Sequence, residues 1–323
     1  MGIRVIDRQT VRRLLTWEAA IPLMREAMMA LSAGRTGQLL RQLLPIEGGV
    51  LAVMPGATPE VFGAKLISVM PGNFDKGIAS HQGGVLLFEP ESGAPVALLH
   101  AGEITAIRTA AASAAATDVL ARPDAARLAI LGYGEQAETH AHAVAHVRKL
   151  AGVTVWGRSA ERARAFADRL APQLGVPVTP AAGVEAAVAE ADIVCAVTGA
   201  REPILFGAAV AAGAHVNLAG ASGLGPREAD DDLIVRGRIF ADHREGVLRQ
   251  SGEVVHAIEA GLIGEGHVLG EIGEVMAGAK AGRLTAEDVT IYKSLGAIVQ
   301  DLASGWYVYR RAMQDGLGTD ASF

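Results

Sequence analysis

One stretch limits the fold more than any other part of this 323-residue chain. A strand-like run over 127–131 leads into Gly132-Tyr133-Gly134-Glu135-Gln136-Ala137, and a helical pattern over 136–150 follows. This is G-x-G-x-x-A between a strand and a helix. The first glycine permits a tight turn, and the second lets the backbone approach a pyrophosphate. The small third residue lets helix and strand pack closely. The helix N-terminus adds N–H groups and positive potential for phosphate. Gly132, Gly134, Glu135 and Gln136 are therefore candidate dinucleotide contacts.

Downstream, strand and helix alternate. Strands are expected at 153–156, 192–197, 215–218 and 238–241, with a helix at 161–170. Apolar strands in such alternation form a parallel sheet covered on both faces. The second strand ends in Trp156-Gly157-Arg158-Ser159. An NAD enzyme usually has a carboxylate there for the ribose 2′-hydroxyl. Here Arg158 can pair with a 2′-phosphate and Ser159 can donate a hydroxyl, while Gly157 leaves room for either cofactor. The expectation is NADP, with NAD as the alternative.

Upstream the texture differs. A strand is expected at 4–6, then a helix from the N-cap Thr16 through Met24, Ala27, Met28 and Leu31 to Gly34. Short apolar runs at 50–54, 63–69, 83–88 and 95–99, separated by turn residues, read as a mostly β platform. An alanine-rich helix over 104–120 leads to the break Arg122-Pro123-Asp124. The expected fold class is α/β: a Rossmann-type dinucleotide-binding domain over 121–296 and an α+β substrate-binding and dimerisation domain over 1–120, completed by 297–323. A long amphipathic helix over 290–313 is expected to pack back on that N-terminal domain.

Formal net charge is −6 with no basic block, which argues against nucleic acid or an anionic membrane as partner. No stretch has the length of an uncharged membrane span, and the first residues carry no apolar signal core. Cys195, the single cysteine, sits in an apolar run and reads as a buried thiol. The expected location is the cytoplasm. His142 and His146 stand four apart on a predicted helix with His140, but no glutamate completes a zinc pattern. Asp230-Asp231-Asp232 lacks the spaced ligands of a calcium loop and reads as a helix start. No metal is expected.

Several segments together carry a resemblance. They are Arg41 followed by Met54-Pro55, Gly63-Ala64-Lys65-Leu66, Ser80-His81-Gln82-Gly83, Ile104-Thr105-Ala106-Ile107-Arg108-Thr109-Ala110-Ala111, Gly213-Ala214-His215-Val216-Asn217, Arg227-Glu228 and Tyr292-Lys293-Ser294-Leu295-Gly296. Over nearly its whole length the chain resembles the ornithine cyclodeaminase/mu-crystallin family, and its ketimine reductase branch in particular. The resemblance implies that Arg41, Lys65 and Arg108 surround a substrate carboxylate, with His81 and Ser222 nearby. It also implies that Ser80, Arg108, Thr109, Thr198, Asn217, Gly220, Lys293 and Ser294 contact the cofactor, and that the β platform pairs into a homodimer. A planar guanidinium suits a carboxylate, and a lysine crowded by two of them should have a lowered pKa and exchange protons near neutrality. Taken singly, each of these cations would read as a surface charge.

Two departures narrow the activity. Ornithine cyclodeaminases carry an acid two residues before the Met-Pro pair and an aspartate shortly after the Asn-x-x-Gly stretch; this chain has Ala52 and Ser222. Cyclodeamination needs proton carriers at the substrate amines, and both carboxylates are missing. The expected function is NAD(P)H-dependent reduction of a carboxylated imine to an L-amino acid. The alternatives are ornithine cyclodeaminase, an alanine-type amino-acid dehydrogenase, and a non-catalytic NADPH-binding protein.

Overall fold

The computed structural model describes residues 2–322. The chain forms two compact units: residues up to Arg108 joined by those from Ala297 onward, and Thr109–Gly296.

The first unit is built on β1 (Gly2–Ile6), α1 (Arg8–Leu14), α2 (Trp17–Ser32), β2 (Gly37–Gln38), β3 (Gln42–Ile46), β4 (Gly49–Ala57), β5 (Phe62–Val69), β6 (His81–Phe88), β7 (Pro95–His100) and the start of α3 (Ala101–Leu120). Its sheet runs β16-β1-β7-β6-β5-β4-β2, with β3 also on β4 and β16 (Thr319–Ser322) supplied by the C-terminus. Only β1 and β7 pair in parallel; the other pairs are antiparallel. Successive residues of a strand point to opposite faces. Cross-strand register therefore puts Lys65, Val85, Leu99 and Met54 on one face, and Ala64, Leu86, Leu98 and Val5 on the other.

The first of these faces is covered by the C-terminal helix. α2 buries Ala20, Ile21, Met24, Met28 and Leu31, a helical stripe. The helix α11 (Ile298–Gln314) packs on α2 and on β4, β5 and β6. Small residues set how closely it lies: a Cβ at Gly305 would come 3.4 Å from Leu87, and one at Gly56 only 2.5 Å from Ile298. α3 is buried nearly all round by alanines, including Ala110, Ala111, Ala112 and Ala114, so it carries almost no amphipathic signal. Its start is held by His100, whose Nδ1 accepts the Glu103 N–H at 3.0 Å. That is an N-cap, the role His100 plays here.

The second unit adds β8 (Arg127–Leu131), α4 (Glu135–Val147), β9 (Gly152–Trp156), α5 (Ala160–Leu174), β10 (Val178–Pro180), α6 (Val184–Val188), β11 (Ile193–Ala196), β12 (His215–Leu218), α7 (Asp231–Arg236), β13 (Arg238–Ala241), α8 (Arg244–Gln250), α9 (Gly252–Glu259), β14 (Val268–Glu271), α10 (Ile272–Met276) and β15 (Thr290–Lys293). Its sheet order is β10-β9-β8-β11-β12-β15-β13-β14, and all pairs are parallel. Reversal of direction at β8 is the doubly wound arrangement, which places a nucleotide beyond the carboxyl ends of the strands.

Several boundaries differ from the sequence reading. Residues 290–293 form a central strand instead of the first turn of the final helix. Thr-Ile-Tyr-Lys is fully buried there, and Gly296, at φ +88°, breaks the chain before α11 begins. Thr16 makes no side-chain cap bond; its backbone carbonyl alone receives the Ala20 N–H at 2.8 Å. The division between units falls inside α3, at Arg108/Thr109, ahead of the Arg122-Pro123-Asp124 break. α3 runs through uninterrupted, and its second half bonds within the second unit, where the Asn217 amide donates to Thr117.

Candidate active site

In the first unit, three elements bring charge to one buried point. Lys65 projects from β5, Arg108 from α3 and Asp301 from α11; their residue exposures are 1%, 3% and 0%. The Lys65 ammonium donates to Asp301 Oδ1 at 3.0 Å and to Thr105 Oγ1 at 2.9 Å. Thr105 in turn donates its hydroxyl to the Ala101 carbonyl at 2.7 Å, so toward Lys65 it acts as acceptor. Arg108 donates from Nε to the same Asp301 oxygen at 3.2 Å, and from one terminal nitrogen to Gln300 Oε1 at 2.7 Å. An ammonium has three donors and a guanidinium five. One N–H of Lys65 and the second terminal nitrogen of Arg108 remain for a ligand among the described residues.

Arg41 lies between β2 and β3, half-buried, and its charge reaches Lys65. Burial is the main cause that brings the Lys65 ammonium from its ordinary value down to about 7; Asp301 pulls it up, while Arg108 and Arg41 push it down. On Asp301, burial alone would raise the carboxyl, but Arg108 and Lys65 outweigh it and hold the group below its usual value. His81 opens β6 beside Ser80, whose hydroxyl meets its Nδ1 at 3.0 Å. The residue is solvent-exposed, yet its ring is partly desolvated. That desolvation, with the Lys65, Arg41 and Arg108 charges, lowers its proton affinity. The structure thus gathers Arg41, Lys65, His81 and Arg108, and adds Asp301, Gln300 and Thr105. Nothing in the sequence motif pointed to Asp301 or Gln300. The one available sign was a carboxylate and an amide inside the apolar pattern of a terminal helix.

The second unit carries the dinucleotide motif in the expected form. Gly132 ends β8 at φ +126°, and its N–H bonds the Trp156 carbonyl at 2.8 Å. A Cβ there would stand 3.1 Å from the Val197 carbonyl oxygen, at a φ that L side chains rarely adopt. Gly134 is the N-cap of α4, and no side chain caps that helix. Ala137 is fully buried at the helix–strand contact. Gly157 lies under Tyr133, since a Cβ would come 2.1 Å from its ring. Gln136 keeps a buried Oε1 without a hydrogen-bond partner. Bare backbone and an uncapped helix start, both offering N–H donors, fit a pyrophosphate-bearing cofactor. Arg158 is exposed after β9, and Ser159 uses its oxygen to cap α5, accepting the Arg162 N–H at 3.2 Å.

Other residues expected at the cofactor also make bonds inside the protein. Asn217 is fully buried; its amide donates to Thr117 and meets Cys195, and its oxygen meets His215. Lys293 donates to the Ala221 carbonyl at 2.6 Å and pairs with Glu253 at 2.9 Å. Ser294 donates to Asp242. All three are buried and brace the interior of the second unit through these bonds. Thr198 and Gly220 border a further feature that the sequence did not disclose. Glu228, buried, receives the Thr198 N–H and hydroxyl at 2.6 and 2.8 Å on one oxygen, and the Gly220 and Ala221 N–H groups at 2.8 and 3.1 Å on the other. One carboxylate so ties together the loops that follow β11 and β12. Thr109 is buried in α3, and Ser222 is half-buried in the loop after β12.

The discounted groups have structural partners. His140 is buried between the Gln136 carbonyl and Ser113, and burial lowers its pKa to about 4. Asp230 caps α7 through the Leu233 N–H. Cys195 is buried, which pushes its thiol up to about 12. Among the described residues no group of three or more His, Cys, Asp or Glu side chains gathers to hold a metal ion, and no helix is long and apolar enough to cross a membrane.

Residues 4–316 match the sequence profile of the ornithine cyclodeaminase/mu-crystallin family. The chain is 37% identical over 296 residues to ketimine reductase mu-crystallin of Mus musculus, covering 90% of each chain. It superposes with a TM-score of 0.96 and 32% identity on Thermococcus litoralis Delta(1)-pyrroline-2-carboxylate reductase, solved with NADH and L-proline, covering 99% of this chain and 100% of that one. An archaeal alanine dehydrogenase dimer with bound NAD superposes at 0.95 with 29% identity, over 100% of both chains. By profile, sequence identity and fold, this chain is a member of the ornithine cyclodeaminase/mu-crystallin family.

Proposed function

We propose that this protein reduces the C=N bond of an imino acid whose carboxylate is attached to the imine carbon, giving an L-amino acid. The observation that carries this reading is the buried Lys65–Asp301–Arg108 cluster, with one ammonium N–H and one guanidinium edge unspent. When bound, a reduced nicotinamide supplies hydride. Arg108 and Arg41 hold the substrate carboxylate, since a guanidinium edge matches two oxygens at once. Lys65 keeps a proton at the imine nitrogen, so that the C=N electron pair can move onto nitrogen as the carbon accepts hydride. Fixed charges in a water-poor site need no reorganisation as charge shifts. His81 and Ser222 are the remaining candidates for orienting the substrate.

Candidate substrates are the cyclic ketimines pyrroline-2-carboxylate and piperideine-2-carboxylate, or a small acyclic imino acid such as iminosuccinate. Ala52 and Ser222, standing where cyclodeaminases carry acids, disfavour loss of ammonia from ornithine. Arg158 at the end of β9, with no acid in that turn, supports NADPH over NADH. The test is the rate of NADPH and NADH oxidation over a panel of these imines. We expect turnover of at least one, faster with NADPH. Ammonia and proline from ornithine would support a cyclodeaminase instead, and tight NADPH binding with no turnover would support a binding protein. A lone buried thiol suits a reducing compartment, and we propose the cytoplasm.

The same reading includes a homodimer. The sheet face turned away from α11 carries Val5, Leu44, Leu66 and Leu98 at 36–60% exposure, alongside the stacked pair Phe62 and Phe88. A continuous apolar sheet face of this kind marks an interaction surface, and a second copy of the chain would cover it about a twofold axis. Leu66→Glu is expected to turn a dimer into a monomer by light scattering after size exclusion. An unchanged mass would place the interface elsewhere.

A further inference from the structure

We propose that Asp301 is the positioning residue that keeps Lys65 charged and holds the Arg108 guanidinium edge-on toward substrate. This rests on the reading of Lys65 and Arg108 given above. Three features carry it. First, Asp301 Oδ1 is the shared acceptor of both cations, at 3.0 and 3.2 Å, and the only carboxylate either of them reaches among the described ion pairs. Second, its side chain is wholly enclosed and its other oxygen, Oδ2, has no hydrogen-bond partner, so the hydrogen bonds it accepts come from these two cations alone. Third, it stands on α11, with Gln300 beside it holding a terminal nitrogen of Arg108 at 2.7 Å. A charge and an amide from one turn of helix fix two donors of the guanidinium and leave its other terminal nitrogen for substrate.

The electrostatic consequence has a definite sign. Around the Lys65 ammonium stand Asp301 from α11, Arg108 from α3, Arg41 from the β2–β3 connection and His81 from the start of β6. Two of these are permanent cations, and only Asp301 is an anion. Without it, Lys65 faces burial and two positive neighbours alone, and sheds its proton at lower pH. Thr105 cannot replace it, because a hydroxyl acceptor carries no charge.

The test reads the lysine itself. Protein labelled with 13C at the lysine ε-carbon has five lysines, and the Lys65 signal is the one lost in Lys65→Ala. In the native protein its NMR titration midpoint is expected at about 7. In Asp301→Asn it should fall by ~1 unit or more, which is roughly a tenfold change in proton affinity. Asp301→Glu should bring part of it back, and Thr105→Val should move it far less. An unmoved midpoint in folded Asp301→Asn would overturn the inference. Should Asp301→Asn fail to fold, Asp301→Ser takes its place: an unmoved Lys65 midpoint would overturn the inference, and a lowered one would support it. If the midpoint moves but the pH profile of imine reduction does not follow, the pairing stands and the acid role of Lys65 falls.

Discussion

Lys65→Met is expected to lower kcat for imine reduction by about 10²–10⁴-fold, the range that a single proton donor contributes. Methionine keeps the unbranched stem, one atom shorter, and removes the ammonium. The pH dependence gives the sharper result. Burial, opposed by Asp301 and assisted by Arg108 and Arg41, lowers the native lysine to about 7. Catalysis needs the protonated form, so native activity should be full below that value and fall as pH rises through it. The incoming substrate carboxylate adds a negative charge beside Lys65 and raises its proton affinity. The alkaline limb of kcat, which reports the bound complex, should therefore lie above that of kcat/KM, which reports the free enzyme. Lys65→Met should lose both limbs. A variant that kept the native rate, or kept the same falling limb near 7, would remove Lys65 from the chemistry.

Arg108→Lys is the second large effect. Charge is conserved, yet the fork is lost: Nε no longer bonds Asp301, the Gln300 contact goes, and the edge left for substrate becomes a point charge. Truncating one partner of a buried charge pair costs about 2–5 kcal/mol, which is roughly 30- to 5,000-fold in binding. The carboxylate is held in both the ground and transition states, so most of the loss should appear in KM, with kcat less affected. A KM within about twofold of native, measured in steady state, would mean that the substrate carboxylate binds elsewhere, because a true loss of the fork must exceed that range. The two variants separate cleanly: one acts on proton delivery, the other on the grip.

The two large predictions depend on contacts of different legibility. Lys65, Arg108, Arg41 and His81 could be named only through the family resemblance that the short runs around them carry, and their charges reach one another in the structure. Asp301 and Gln300 could not, because they lie in a helix whose pattern looks like ordinary packing. The same holds for Glu228. In the sequence it is one acid near a glycine-rich stretch; in the structure its two oxygens receive four donors from two loops. Asn217 and Lys293 could be singled out in the sequence, but not the partners that brace them: Thr117, Cys195 and His215 for the first, Ala221 and Glu253 for the second. Motif position does not report which way a side chain faces once the strand beside it is filled.

The strands also show where local pattern stops. Residues 127–131, 215–218 and 238–241 are short, apolar and bounded, and each forms a strand over those residues. Residues 42–46 pair with β4 although every one is exposed, and residues 290–293 join the middle of the parallel sheet although they adjoin a helical pattern. Pairing in both cases is decided by neighbours distant in the chain.

What the sequence alone determined was the class of fold and the dinucleotide turn. Periodicity, glycine placement and helix starts act over a few residues and need no distant partner. What only the tertiary structure decided was the charge balance of the site. Lys65 and Asp301 are separated by 236 positions yet lie 3.0 Å apart. Their proton affinities are set by burial and by each other, and both come into being only when α11 closes over the sheet.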